Sequence, residues 1–291
     1  MADASGQADI RGIDIDRVAK GFGEVEDNII KICEVSNTSA REIRWFQKTA
    51  GFLDSTDTTG ITASHIANTS FGSLPVVVEQ SWTRQTSYVR KYFVESPWIS
   101  DEDIKDSDVN IIATNVRDLV RGVKRQKSTR IYAVLSADVS NTNATNAAWN
   151  AASYTNVNII EDLMEGKMNI YDDGYNPEGA WLLLSSLDHK SLITWLIDGK
   201  GSSIPSFASA RVGDGVVMEI LGLKVMVDTI VTADEAMIVV PQTAIKWKSF
   251  GEITSEIIRD PLIGQKIRVA EWGEAIMTDP AAANKITNTQ A

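Results

Sequence analysis

Residues 108–135 read DVNIIATNVRDLVRGVKRQKSTRIYAVL, and this stretch decides what kind of fold the chain makes. Val109, Ile112, Val116, Leu119, Val120 and Val123 recur at spacings of three and four. That is the pattern of an amphipathic helix. Ser100-Asp101-Glu102-Asp103 just ahead is a helix-capping signature. The polar side carries Arg117, Arg121, Lys124, Arg125, Lys127 and Arg130, opposed only by Asp118. Arg117, Arg121 and Arg125 fall at i, i+4 and i+8, where like charges repel mildly. Two readings of this stripe stand side by side: a solvated face, or a contact with acidic segments of a neighbouring chain or with packaged phosphates.

Upstream lie two strand-like runs, Leu74–Thr83 and Thr86–Glu95. Leu74, Val76, Val78 and Trp82 point one way at period two. Tyr88, Tyr92 and Val94 share a face with Arg90, while Val89 and Phe93 share the other with Lys91. β-branched and aromatic residues dominate, as strands prefer. The reading is a long hairpin turning at Thr83–Thr86, although that connector holds no Gly or Asn-Gly. A lone two-stranded hairpin is marginal in water. One with apolar residues on both faces is expected to lie between surfaces, its own or another subunit's.

Further upstream, Ser39 and Glu42 form a capping box, with Ile43, Phe46 and Ala50 on one face, so a short helix is expected over 39–54. Residues 55–73 read as a loop. Residues 1–35 hold eight acids against four bases with sparse apolar anchors, and read as an arm. Downstream, residues 136–158 suggest a loop excursion around Trp149, and Ile159 to Ile170 suggest a second helix. Ala180–Ser186 is a buried strand, Leu187–Asp198 a helix, and Gly199–Val212 a flexible loop. Val216–Val231 reads as a hairpin turning at Leu221-Gly222. Strands follow at Ala236–Val240, Ile245–Phe250 and Gln265–Met277, with Pro261 on the return and a polar tail after Pro280.

Composition excludes several classes of function. The chain has 291 residues, of which 43% are hydrophobic and 23% charged, enough for a sizeable core. Its net charge of −11 opposes general nucleic-acid binding, which runs on phosphate neutralisation. One cysteine (Cys33) and two histidines (His65, His189) leave no disulfide framework and almost no zinc chemistry. There is no signal-like N-terminus and no apolar run near the roughly 20 residues a spanning helix needs. A soluble chain of a reducing compartment is expected, with no membrane partner.

No catalytic constellation emerges. G-x-S-x-G, a Walker loop and H-E-x-x-H are all absent. Gly199-Lys200-Gly201 lacks the third glycine of a dinucleotide turn. Asp172-Asp173 and Asp101-Glu102-Asp103 read as turn and cap residues. Cys33 reads as a small hydrophobe. The expectation is no catalytic residue, no cofactor and no metal.

The order of elements is the remaining signal: arm, short helix, two-sided hairpin, long helix, mixed α/β insertion, returning strands. With Ser81-Trp82 to Tyr92, Ile99 to Ile104, Leu119 to Tyr132, Asn176-Pro177 before Trp181–Ser185, and Ile220 to Val225, it resembles the major capsid proteins of tailed double-stranded-DNA viruses, the Hong Kong 97-type fold. The resemblance covers residues 36–278. It implies an α+β chain divided into an N-terminal arm (1–38), an N-terminal helix and loop (39–66) and an E-loop hairpin (67–98). A P-domain with its spine helix and antiparallel sheet (99–137), a mixed α/β A-domain (138–240) and a return with C-terminal tail (241–291) would follow.

The implied function is structural. Copies would form pentamers and hexamers and then an icosahedral, bacteriophage-like shell around double-stranded DNA, without sequence-specific binding. Trp82, Tyr88, Tyr92 and Phe93 of the E-loop, and the Arg117/Arg121/Arg125 stripe, would be subunit contacts. A separate scaffolding protein and a portal are implied partners, the virion is the implied location, and the host cytoplasm the implied place of synthesis. Some members join an E-loop Lys to a neighbour's Asn; Lys91 lies on the hairpin, but no partner motif matches and crosslinking is not carried over. The alternatives are an encapsulin-type compartment shell, which shares the fold, and an acidic enzyme.

Overall fold

The computed structural model describes residues 29–50, 71–72, 81–106, 111–151, 156–196 and 219–291. The arm up to residue 28, most of the loop at 55–73, the run from Leu74 to Gln80 and the loop at 199–212 lie outside the described residues. In chain order, a 3-10 turn at Ile29–Ile32 leads to β1 (Glu34–Asn37), β2 (Glu42–Ala50), β3 (Ser81–Tyr88), β4 (Arg90–Glu95), β5 (Ile99–Ser100) and α1 (Asp101–Asp106). The long helix α2 (Ile111–Asp138) follows, then β6 (Asn141–Ala144), α3 (Ile159–Asp172), β7 (Trp181–Leu184) and α4 (Ser186–Thr194). β8 (Glu219–Ile220), β9 (Leu223–Val227), β10 (Glu235–Val239), β11 (Ile245–Asp260), β12 (Gly264–Met277), a 3-10 turn at Pro280–Ala282 and β13 (Ala283–Thr287) complete the order.

These elements form two compact units. The first draws its described residues from 91–126 and 252–271. There the first half of α2 lays Ile112, Val116, Leu119, Val120 and Val123 on Ile99, Ile267 and Val269, with Tyr92 and Val94 packed alongside. The three- and four-residue spacing read from the sequence is this stripe, with Val123 buried and the others half-buried; Val109 lies outside the described residues. β5 pairs antiparallel with the start of β12, Gly264 opposite Ser100 and Gln265 opposite Ile99. A Cβ on Gly264 would stand 2.1 Å from the Ile99 carbonyl oxygen, so glycine is required for that approach. Glu95 accepts from both Lys266 Nζ and Arg268 Nε, and these cations hold its carboxyl below the usual range.

The second unit comprises residues 27–90, 127–251 and 272–291. Its centre is a six-stranded sheet in the order β6-β13-β10-β7-β9-β8. β6 runs parallel to β13 and β7 parallel to β9; β13, β10 and β7 alternate antiparallel. α3 lies against β6 and β13. The core gathers Trp149, Trp195, Leu163, Leu182, Leu184, Ile238 and Ile286. Polar groups inside it are paired: Asn284 Nδ2 donates to Asn143 Oδ1 at 2.6 Å, Asn143 Nδ2 to the Asp162 carbonyl at 3.2 Å, and Trp149 Nε1 to Asp162 Oδ2 at 2.9 Å. The β8–β9 turn has positive φ at Leu221 (51°) and Gly222 (76°), the two-residue hairpin expected at Leu221-Gly222. Lys167 Nζ donates to the Leu221 carbonyl at 2.9 Å and anchors that turn to α3.

Four readings of the sequence are corrected. Residues 42–50 are a strand, not a helix: Ile43 is buried while Phe46 is 63% exposed, so the two do not share a face. Pairing along β3 overrode the capping box. Second, Thr83–Thr86 is no turn. Those residues lie inside β3, which pairs with β2 from Glu42↔Tyr88 to Lys48↔Trp82. The chain breaks at Val89 instead, whose N–H donates to the Arg41 carbonyl at 2.9 Å, and β4 joins the sheet of β11 and β12. The hairpin assigned to 67–98 is therefore a ribbon whose first strand comes from the segment read as helix. Third, the excursion at 136–158 contains β6. Fourth, the polar tail after Pro280 contains β13, which returns to the sheet of the 138–240 insertion. Its polar Asn284 is fully buried and paired, so polarity did not mean exposure.

Gly166 on α3 faces Asn284 Nδ2 and Ile238 Cδ1 at 2.8 and 2.9 Å from where a Cβ would stand, whereas Gly122 on α2 has open space. Gly166→Ala is expected to destabilise the subunit by about 1–3 kcal/mol through overpacking. Gly122→Ala is expected to stabilise it by about 1 kcal/mol. Urea unfolding midpoints of the two variants moving in opposite directions check this.

Candidate assembly surface

Register sorts the β2–β3 ribbon into two faces. Ile43, Trp45 and Gln47 share one face with Ser87, Gln85 and Thr83; Glu42, Arg44 and Phe46 share the other with Tyr88, Thr86 and Arg84, and Trp82 continues it. The first face is held by the body of its own unit. Trp45 Nε1 and Gln47 Nε2 both donate to the Met277 carbonyl, at 2.9 and 3.0 Å, and Gln85 Nε2 donates to Gln47 Oε1 at 3.1 Å. A cleft of about 340 Å³ lies beneath, lined by these side chains with Arg130, Val134 and Pro280.

The second face is bare. Phe46, Trp82 and Tyr88 are 63%, 56% and 65% exposed. Arg44 Nε donates to Glu42 Oε1 at 2.6 Å, which lowers the Glu42 carboxyl and raises the Arg44 guanidinium from their ordinary values. Large aromatics left in water on a strand pinned from behind are the mark of a surface awaiting a partner.

The ribbon's base is fixed by charge. The Glu274 side chain has no exposure; Arg90 Nε lies 3.1 Å from its Oε2, and Arg130 donates to its Oε1 from Nη2 at 2.5 Å and from Nε at 2.9 Å. Two guanidinium groups thus neutralise one buried carboxylate. Lys127 Nζ sits 4.9 Å over the Trp247 ring. Of the cations read along α2, Lys127 and Arg130 are therefore bound into the body and do not form a solvated face.

The other expected contact residues fall in the first unit. Phe93 is 51% exposed, with Lys91 Nζ 4.5 Å over its ring. Tyr92, on the same strand, packs into the unit's own core. Arg117 and Arg121 are half-buried and Arg125 is exposed, with Arg117 Nε 3.4 Å from Asp118 Oδ1. Trp82 and Tyr88 thus share one ribbon face, while Tyr92 and Phe93 belong to a different sheet. Sequence reasoning missed Phe46, Arg44 and Arg84 on the bare face. The period-two alternation of Glu42-Ile43-Arg44-Trp45-Phe46-Gln47 was the signal for them.

Chemically active groups are sparse here. Cys33 is buried and its thiol is pushed up to about 12 by desolvation. Burial lowers His189, and His65 lies outside the described residues. Among the described residues no group of three or more His, Cys, Asp or Glu side chains is placed to hold a metal ion. No helix among them is long and apolar enough to cross a membrane.

An aromatic ribbon, a long helix and a separate mixed sheet define a shell-forming subunit built for contacts. Comparison with known proteins agrees: residues 98–286 match the model of a family described as phage capsid protein. The chain belongs to that family, and it is a structural subunit of a virion capsid that assembles with copies of itself. Its fold is similar to the capsid of cyanophage P-SCSP1u, with TM-score 0.70 and 9% identity over 97% of this chain and 94% of that one. It is also similar to the mature capsid of bacteriophage PhiM1, with TM-score 0.68 and 12% identity over 94% and 90%. The SrpI encapsulin of Synechococcus elongatus shares the fold at TM-score 0.59 and 10% identity over 99% and 93%. No curated protein sequence matches.

Removing one member of a buried ion group leaves the others uncompensated, typically at a cost of about 3–5 kcal/mol. Glu274→Gln is therefore expected to lower the unfolding midpoint of the subunit strongly. Glu42→Gln, which breaks an exposed pair, should leave it unchanged. Paired thermal melts check the contrast.

Proposed function

We propose that this subunit forms pentameric and hexameric capsomers, which close into an icosahedral shell around double-stranded DNA. The observation that carries the reading is the bare ribbon face of Phe46, Trp82 and Tyr88, turned away from the face that holds its own body. In this reading the ribbon lies across an adjacent copy and buries those rings, with Phe93 adding to the same class of contact and Tyr92 contributing only its outer edge. Obligate contacts of this kind typically bury more than ~2,000 Å². The Arg117/Arg121/Arg125 stripe meets acidic segments of a neighbour. An acidic chain suits a container, because a lining that gripped phosphate would oppose filling and release.

The division into arm, E-loop, P-domain and A-domain is kept, with the E-loop now built from 42–50 and 81–88. A separate scaffolding protein and a portal complete assembly, synthesis is in the host cytoplasm, and the role is not enzymatic. Nucleic acid inside purified particles supports this function; a protein cargo in its place would favour an encapsulin-type compartment.

Trp82→Ala and Phe93→Asp are expected to leave the subunit folded by circular dichroism yet abolish particles in negative-stain micrographs, since truncating a buried interface Trp typically removes about 2 kcal/mol or more per contact. Normal particles from both variants would refute the ribbon's role. Reversing Arg117, Arg121 and Arg125 to Glu should likewise halt assembly at free subunits, and unaltered assembly would return the stripe to a solvated face.

A further inference from the structure

The second unit carries another surface that its own core does not explain. α3 buries Ile159, Leu163, Gly166, Lys167 and Ile170 against the sheet. Its opposite side should be polar. Instead Met164, Met168 and Tyr171, at i, i+4 and i+7, are 49%, 53% and 48% exposed. The charges beside them are all acidic: Glu161, Glu165 and Asp172 are exposed, while the helix's Lys167 is turned inward. Methionine is favoured at adaptable binding surfaces.

A surface of matching character lies elsewhere on the same unit. Where β7 passes into α4, Leu187 is 52% exposed, and Val227 of β9, whose register partner is Leu184, is 38% exposed. Lys190, one turn on from Leu187 in α4, is exposed, and Asp188, the acid of that first turn, is fully buried. The strand order separates the two patches. α3 covers β6 and β13 at one end, and β9 is next to last at the other.

We infer that the acidic, methionine-bearing face of α3 docks on the Leu187/Lys190/Val227 patch of a second copy of this chain, and that this contact closes the capsomer ring. Two different, complementary patches on one body make a heterologous interface, which generates a ring when the rotation closes. A two-fold pairing of α3 with itself would set acid against acid. Copies joined by plug and socket bring the acidic face of Glu161, Glu165 and Asp172 towards Lys190 and cover the exposed methionines. The inference rests on the shell function proposed above.

The test uses the full chain as assembled shells. Met168→Cys combined with Leu187→Cys, treated with a short bis-maleimide, should carry most of the chain into a ladder of multimers on a denaturing gel, while either single variant stays monomeric. Cys33 stays silent because it is buried with a thiol pushed up to about 12. Intact shells whose double variant remains monomeric would overturn the ring contact and leave the shell function standing. If the double variant forms no shells, charge exchange decides: Lys190→Glu should abolish capsomers, and Lys190→Glu with Glu165→Lys should restore them. Failure to restore would overturn the contact. A wild-type chain that folds yet never assembles would bring down the shell function, and the ring contact with it.

Discussion

Glu274 is a carboxylate without solvent, and it persists because Arg90 meets it from the start of β4, just past the ribbon, and Arg130 from the long helix. Three residues on, the Met277 carbonyl accepts from two side chains of the ribbon, the Trp45 indole and the Gln47 amide. The end of β12 is thus the fixture to which the ribbon and the second half of α2 are fastened. A two-stranded ribbon has too little core to stand in water unaided. Fastened along one face, it can keep Phe46, Trp82 and Tyr88 exposed on the other without collapsing onto its own body.

Much of this was legible in the chain because period and burial coincide. α2 and α3 showed their stripes, β7 and β10 their apolar runs, and the Leu221-Gly222 turn its glycine at positive φ. The ribbon was misread for a physical reason. Ser39 and Glu42 satisfy a local capping pattern, but the partner that makes 42–50 a strand sits some forty residues away at 81–88, and no local propensity reports it. β13 was hidden by its polarity, since Asn284 is buried only because Asn143 and Asn169 receive it. Of the expected contact residues, Trp82 and Tyr88 were found on one face, whereas the neighbours Tyr92 and Phe93 were separated from them by the break at Val89.

The family's fold tolerates near-complete sequence turnover. At 9–12% identity to two phage capsids the chain keeps TM-scores of 0.68–0.70, and an encapsulin is also within reach. What the chain and these capsids share is the fold itself.

β13 carries a consequence for synthesis. It sits between β6 and β10, yet it follows every other strand of that sheet in the chain. Until residues 283–287 leave the ribosome, β6 has no partner among the sheet's described strands, and one flank of β10 is open. Asp188 likewise waits for Thr289 Oγ1 and Gln290 Nε2, which donate to its Oδ1 at 2.6 and 2.5 Å. The sheet therefore closes only once β13 is available, so strands far apart in the chain depend on one late segment for their pairing.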